Sequence, residues 1–71
     1  MNINNEEEAH LAIALWQSAP AAAQLRNLKM VVESLELSQM YYEQKGNDNG
    51  AARLTACLTI LNSRIRELAA G

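Results

Sequence analysis

The sequence predicts an all-α fold, in which an antiparallel helical hairpin of a long and a medium helix follows a short amphipathic N-terminal helix. Three observations favour it. Helix breakers are rare, with three Gly and one Pro among 71 residues. Two long segments repeat apolar residues every three or four positions, which is the helical period. Between these segments, residues 46–50 combine Gly, Asn and Asp, a composition typical of a tight turn.

The first helix is expected from about residue 6 to residue 18. Asn5 and Glu8 have the spacing of a capping box, and three consecutive glutamates in the first turn suit the positive end of the helix dipole. Pro20 then disfavours helical conformation in the residue before it. We therefore expect a break there and a fresh helix from Pro20. A continuous, kinked helix is the alternative.

The two remaining helices are expected at about residues 20–45 and 50–69, joined by a turn at 46–49. No breaker occurs between Pro20 and Gly46, and Gly46 suits the left-handed conformation that ends many helices. Asp48 or Asn49 is expected to cap the last helix. Residues 1–71 are then one small helical domain.

The apolar periodicity of these two helices predicts a seam along which they pack. Folding the chain about residues 46–50 sets Tyr42 opposite Leu54 and Leu35 opposite Leu61, so that the two apolar series come into register. The predicted structural seam consists of Leu28, Val32, Leu35 and Tyr42 on the long helix and Leu54, Leu58, Leu61, Ile65 and Leu68 on the last.

Several apolar side chains fall outside this seam. On the long helix Met30, Leu37 and Tyr41 share a second stripe, and Ile13 and Trp16 lie on a nearly all-apolar first helix. Either the first helix folds back over the second stripe and closes a three-helix domain, or a protein partner covers it. We predict that these five residues bind a partner. A second copy of the chain, giving a helical-bundle homodimer, is one such partner.

Charge and composition exclude several classes of function. The net charge is −2 and the six basic residues are scattered, so there is no patch to bind nucleic acid. No apolar run has the length of a membrane span, and the acidic N-terminus is unlike a secretory signal. A single cysteine forms no disulfide within the chain, which favours a reduced, cytoplasmic setting.

Catalytic chemistry is also unsupported by the sequence. His10 is the only histidine and lacks the further ligands that a metal site needs. Cys57 lies at the edge of the seam without a nearby base, so it is expected to act as a small apolar side chain. We therefore predict no enzyme activity, no metal and no cofactor.

The pattern favours a non-catalytic protein–protein interaction module, a small adaptor or inhibitor that acts through an exposed apolar helix face. In size and helix pattern the chain resembles small phage-encoded modulators of host proteins. In architecture alone it is similar to the helical-hairpin co-chaperones of secretion needle subunits. The alternatives are therefore a co-chaperone or structural subunit of a larger assembly, and a small-ligand binder at an oligomer interface.

Overall fold

A computed structural model describes residues 2–71 and contains, within that range, three α-helices and no strand. The helices are α1 (Glu6–Trp16), α2 (Ala21–Gln44) and α3 (Asp48–Ala70). The prediction of an all-α fold is confirmed. None of the helices in this range combines the length and the apolar character needed to cross a bilayer.

The beginning of α1 follows from its first polar residues. The Asn5 side chain accepts a hydrogen bond from the Glu8 backbone N–H at 2.8 Å. The Glu8 carboxylate in turn accepts from the backbone N–H of Asn4, also at 2.8 Å. The bond from Glu8 N–H to Asn5 is that of a standard capping box. The Glu8 carboxylate differs from the standard motif, because it reaches the N–H of Asn4, one residue ahead of the N-cap.

Helix α1 ends at Trp16, two residues before the predicted end, and α2 begins after Pro20. The backbone N–H groups of Gln17 and Ala19 bond to carbonyls three residues back, which tightens the chain into a turn. Pro20 has an extended backbone (φ −57°, ψ 150°) and precedes the first helical residue of α2. The proline therefore separates two helices, and the continuous, kinked helix does not occur.

The turn between α2 and α3 is shorter than predicted. Gly46 has φ +73°, and the N–H groups of Gly46 and Asn47 donate to the carbonyls of Glu43 and Tyr42. This is a Schellman ending, for which glycine is the suitable residue. The Asn47 side chain then accepts from Gly50 N–H at 2.9 Å and caps α3. Asn47 therefore caps α3, in place of Asp48 or Asn49, and the helix starts at residue 48.

Three contacts define how α2 and α3 pack. The Tyr42 ring lies against Gly50, Gln39 Nε2 donates to Thr55 Oγ1, and Arg64 donates to Gln24 at 3.2 Å. The position on α2 falls as the position on α3 rises. Compared with the predicted pairing, in which Tyr42 lies opposite Leu54, the three contacts lie between about half a turn and two turns nearer the start of α3.

Helix α1 packs chiefly against α3. Its inner face carries Ala9 and Ala12, both 0% exposed, and alanine lets two helix backbones approach closely. Ile13 and Ile60 line the same cleft between α1 and α3. The first helix therefore covers the side of α3 that bears Ile60. The alternative in which it covers the second apolar stripe of α2 does not occur.

The core is formed by all three helices and by one residue ahead of them. Six of the predicted seam residues are buried, and Tyr42, Ile65 and Leu68 are partly buried against them. Ile3, which the sequence patterns did not single out, is only 3% exposed and lies beside Val31 and Leu35. The buried hydrophobic residues are Ile3, Ala9, Ala12, Leu28, Val32, Leu35, Leu54, Cys57, Leu58 and Leu61.

One buried polar side chain connects the three helices. Gln24 is 5% exposed, and its amide donates to the carbonyls of Ala19 at 2.7 Å and Gln17 at 3.3 Å. Its carbonyl accepts from Arg64 of α3. Buried polar groups are stable only when they are hydrogen-bonded. Gln24 therefore ties the loop between α1 and α2 to α3.

Candidate protein-interaction surface

A row of large apolar side chains remains exposed on α2. Met30 is 65% exposed, Leu37 68%, Met40 57% and Tyr41 56%. Together these four residues are called the outer face of α2 below. Single exposed apolar residues are normal on protein surfaces, but four large ones on one side of one helix are typical of an interaction site.

Helix geometry explains why these residues are left outside. Met30, Leu37 and Tyr41 lie within about 40° of one another around the helix axis. The buried residues Leu28 and Leu35 of the same helix lie about 140–160° away, against α3. The outer face is therefore the side of α2 that is turned away from the rest of the core.

Met40 is a member of the outer face that the sequence patterns did not identify. It lies three residues after Leu37, which is the spacing of neighbours on a helix surface, and the two side chains line one shallow depression. The signal was present in the sequence, but Met40 lies at the edge of the stripe that Met30, Leu37 and Tyr41 define.

Tyr41 is held in place at the C-terminal end of this face. Its ring meets the Tyr42 ring edge-on at a centroid distance of 6.0 Å and an interplanar angle of 67°. The Lys45 ammonium lies 5.6 Å from the Tyr41 ring centroid, within range of a cation–π interaction. Tyr41 therefore presents a partly ordered aromatic surface, which costs little entropy when a partner binds.

The two sides of the outer face differ in charge. One side, called the charged flank below, carries in chain order Arg26, Lys29, Glu33 and Glu36, all exposed. The other side, called the polar flank, carries Asn27, Ser34 and Ser38, and has no charged residue before Lys45.

The two sides also differ in accessibility. The N-terminal residues 2–4 lie along the polar flank, where they border a cleft with Ser34 and Ser38. On the charged flank, Glu33 and Glu36 border the open depression at Leu37 and Met40. The free approach to the outer face is therefore over the charged flank.

Ile13 and Trp16, the other two predicted partner-binding residues, lie apart from the outer face. Both are partly buried and pack against the core from α1. The structure therefore brings together Met30, Leu37 and Tyr41 and places Ile13 and Trp16 elsewhere. A partner-binding role for Ile13 and Trp16 stays a prediction, and their packing within the chain leaves them out of the outer face.

Helix α1 has an exposed apolar pair of its own. Leu11 is 60% exposed and Leu15 is 61% exposed. Their spacing of four residues could have identified this pair in the sequence. The spacing did not stand out because α1 is apolar around most of its circumference.

Cys57 is the one cysteine of the chain and is fully buried. Burial raises the pKa of the Cys57 thiol above its ordinary value of 9.0, and the charges of Glu6 and Glu8 raise that pKa further. Cys57 is therefore a neutral thiol at neutral pH. Within residues 2–71, no group of three or more His, Cys, Asp and Glu residues is placed to hold a metal ion.

We expect this thiol to make the protein less stable in alkali. Because the pKa is raised in the folded state, the contribution of Cys57 is complete below pH 9.0 and is lost as the pH rises through the folded pKa. The free energy of unfolding, measured by urea denaturation under reducing conditions, should fall more steeply above pH 9.0 for wild type than for Cys57→Ala. Equal slopes for the two proteins would contradict this.

The chain matches no protein-family model, no curated protein and no solved structure. The support for any function therefore comes from the geometry of the chain itself.

Proposed function

We propose that this protein is a non-catalytic protein–protein interaction module that binds its partner through the outer face of α2. The observation that carries the proposal is that Met30, Leu37, Met40 and Tyr41 are each more than half exposed, while the opposite side of the same helix supplies the core. Burying apolar surface is favourable by about 25 cal/mol per Å². A protein partner that covers this face gains that free energy.

The class of module that fits best is a small adaptor or inhibitor, such as a phage-type modulator of a host protein. The outer face extends from Met30 to Tyr41, about 17 Å along the helix axis. Such a face suits a partner that offers a helix or a helix-sized groove. We propose an antiparallel hairpin of α2 and α3 as the framework that presents it, and a helical-bundle dimer as the form in which the chain associates with itself.

We propose a cytoplasmic location, and the single cysteine supports it. The single cysteine is free and fully buried, and no disulfide is available to stabilise the chain in an oxidising compartment.

A second candidate function is a co-chaperone or structural subunit of a larger assembly. The exposed pair Leu11 and Leu15 on α1 favours it. A protein with two separate apolar surfaces can contact two neighbours at once, whereas a protein with one such surface contacts a single partner.

Leu37→Glu tests the proposed function. The substitution puts a charge at the centre of the outer face, so it should abolish self-association and any partner binding through this face. Because Leu37 is 68% exposed, the helix content and the melting temperature of the monomer should stay nearly unchanged. Molar mass by light scattering, circular dichroism, and capture of proteins from a bacterial lysate on immobilised wild type or variant measure these effects.

Leu15→Glu is the matched control for Leu37→Glu. It places the same charge on an equally exposed leucine outside the outer face. If the chain associates through the outer face, Leu15→Glu should associate like wild type. If the chain associates through α1, Leu15→Glu should lose association. Two results count against the proposal: no difference between Leu37→Glu and wild type in mass or in captured proteins, or a loss of helicity in Leu37→Glu.

A further inference from the structure

We infer that the outer face of α2 binds the same face of a second copy with the two α2 helices antiparallel, so that Lys29 of each chain lies beside the partner's Glu36. This inference rests on the proposed function, because it assigns an occupant and an orientation to the surface described there.

The first step is that residues 2–4 border the polar flank of the outer face, where they line a cleft with Ser34 and Ser38, whereas the charged flank is open. In a symmetric antiparallel helix pair each flank meets its own copy, whereas in a parallel pair each flank meets the opposite one. Only the antiparallel pair joins the open flank of one chain to the open flank of the other.

The second step is the order of charges along the charged flank. Arg26 and Lys29 come first along this flank, and Glu33 and Glu36 follow them. Antiparallel pairing sets the basic half of this flank opposite the acidic half of the partner. Parallel pairing would set it against the polar flank, which offers no acidic side chain. Charges at such positions fix the orientation of helix pairs.

The third step is the register. Setting Met30 opposite the partner's Leu37 places the twofold axis between residues 33 and 34 and overlaps the two apolar stripes. Lys29 then lies within about 3 Å, along the helix axis, of the level of the partner's Glu36. Glu33 and the partner's Glu33 lie closest to the axis and repel each other. The symmetric pair therefore contains two attractive charge pairs and one repulsive pair.

Charge exchange tests the orientation. In Lys29→Glu both attractive pairs become Glu–Glu, and in Glu36→Lys both become Lys–Lys, so each variant should dimerise about tenfold more weakly than wild type, or weaker still. An equimolar mixture of the two variants should form a heterodimer as tight as the wild-type dimer, since both of its charge pairs are attractive again. The double variant Lys29→Glu/Glu36→Lys should also recover. Sedimentation equilibrium gives these dissociation constants.

Three further measurements sharpen the test. Arg66→Glu, an exposed charge reversal on α3, should leave the dimer unchanged. Glu33→Gln should tighten it by removing the repulsion at the axis. In a Cys57→Ala background, Met30→Cys mixed with Leu37→Cys should form the mixed disulfide faster than either symmetric one, whereas a parallel dimer would favour the Met30→Cys homodisulfide.

The inference is overturned if wild type is a monomer at millimolar concentration, or if the mixture of charge variants is no tighter than either variant alone. These failures differ from failure of the proposed function. Suppose that wild type is a monomer but still captures another protein, and that Leu37→Glu loses this capture. The antiparallel dimer would then be wrong, whereas the proposed interaction module would still hold.

Discussion

Leu61→Ala is expected to reduce the free energy of unfolding by about 2–5 kcal/mol. Leu61 is 0% exposed and is among the largest fully buried side chains of the chain. Removing it loses the transfer free energy of the side chain and leaves a cavity that α2 and α3 fill only in part. Small domains have about 5–15 kcal/mol of stability in total, so this loss is a large fraction. Urea denaturation followed by circular dichroism measures it.

Leu37→Ala provides the control with the same chemical change. Leu37 is 68% exposed, so its truncation should change the free energy of unfolding by no more than about 0.5 kcal/mol. Because the proposed self-association would stabilise the folded state, both variants should be compared at low protein concentration. Equal losses for the two variants would mean that the outer face of α2 is packed within the monomer.

The division between buried and exposed leucines on α2 could be predicted from the sequence because one rule determines it. Apolar residues at a spacing of three and four share a side of a helix, and Leu28 and Leu35 fall on a different side from Leu37. The same rule places Met30 and Tyr41 with Leu37. The rule does not depend on which helix packs against α2, so it separates the exposed residues of that helix from its buried ones.

The register of α2 against α3 could not be predicted as well, because it depends on a cap. Asn47, Asp48 and Asn49 are all good caps for a helix start. The sequence alone does not rank them, and the structure uses Asn47. With Asn47 as the cap, Gly50 lies in the first turn of α3, where the Tyr42 ring packs against it.

The docking of α1 and the buried polar contact were beyond the periodicity rule. Helix α1 is apolar on most sides, so its pattern does not select the face of Ala9 and Ala12 over that of Leu11 and Leu15. Size decides instead, because the small side chains permit the closer approach. Gln24 is buried because two loop carbonyls and Arg64 surround it, and all three of these partners are set by tertiary structure.

Ala12→Leu is expected to detach α1 from α3 and to cost about 1–3 kcal/mol of stability. Ala12 is 0% exposed where α1 packs on α3, and a leucine there has to push the two helices apart. Trp16, the only tryptophan, is partly buried on α1, so its fluorescence reports the separation directly. Its emission should shift to longer wavelength at urea concentrations where circular dichroism still shows α2 and α3 intact.

Ala14→Leu makes the same change at an exposed position that borders the cleft between α1 and α3, where there is room for the added atoms, so it should leave both signals as in wild type. If Ala14→Leu shifts the emission as Ala12→Leu does, the shift comes from the composition of α1 and not from its packing on α3.

The comparison also concerns association. Helix α1 covers the side of α3 that bears Ile60, and this leaves the outer face of α2 as the large apolar surface away from that contact. Detaching α1 exposes Ile60 and Ile13 as well, so Ala12→Leu should associate less specifically, and light scattering should show species larger than the proposed dimer.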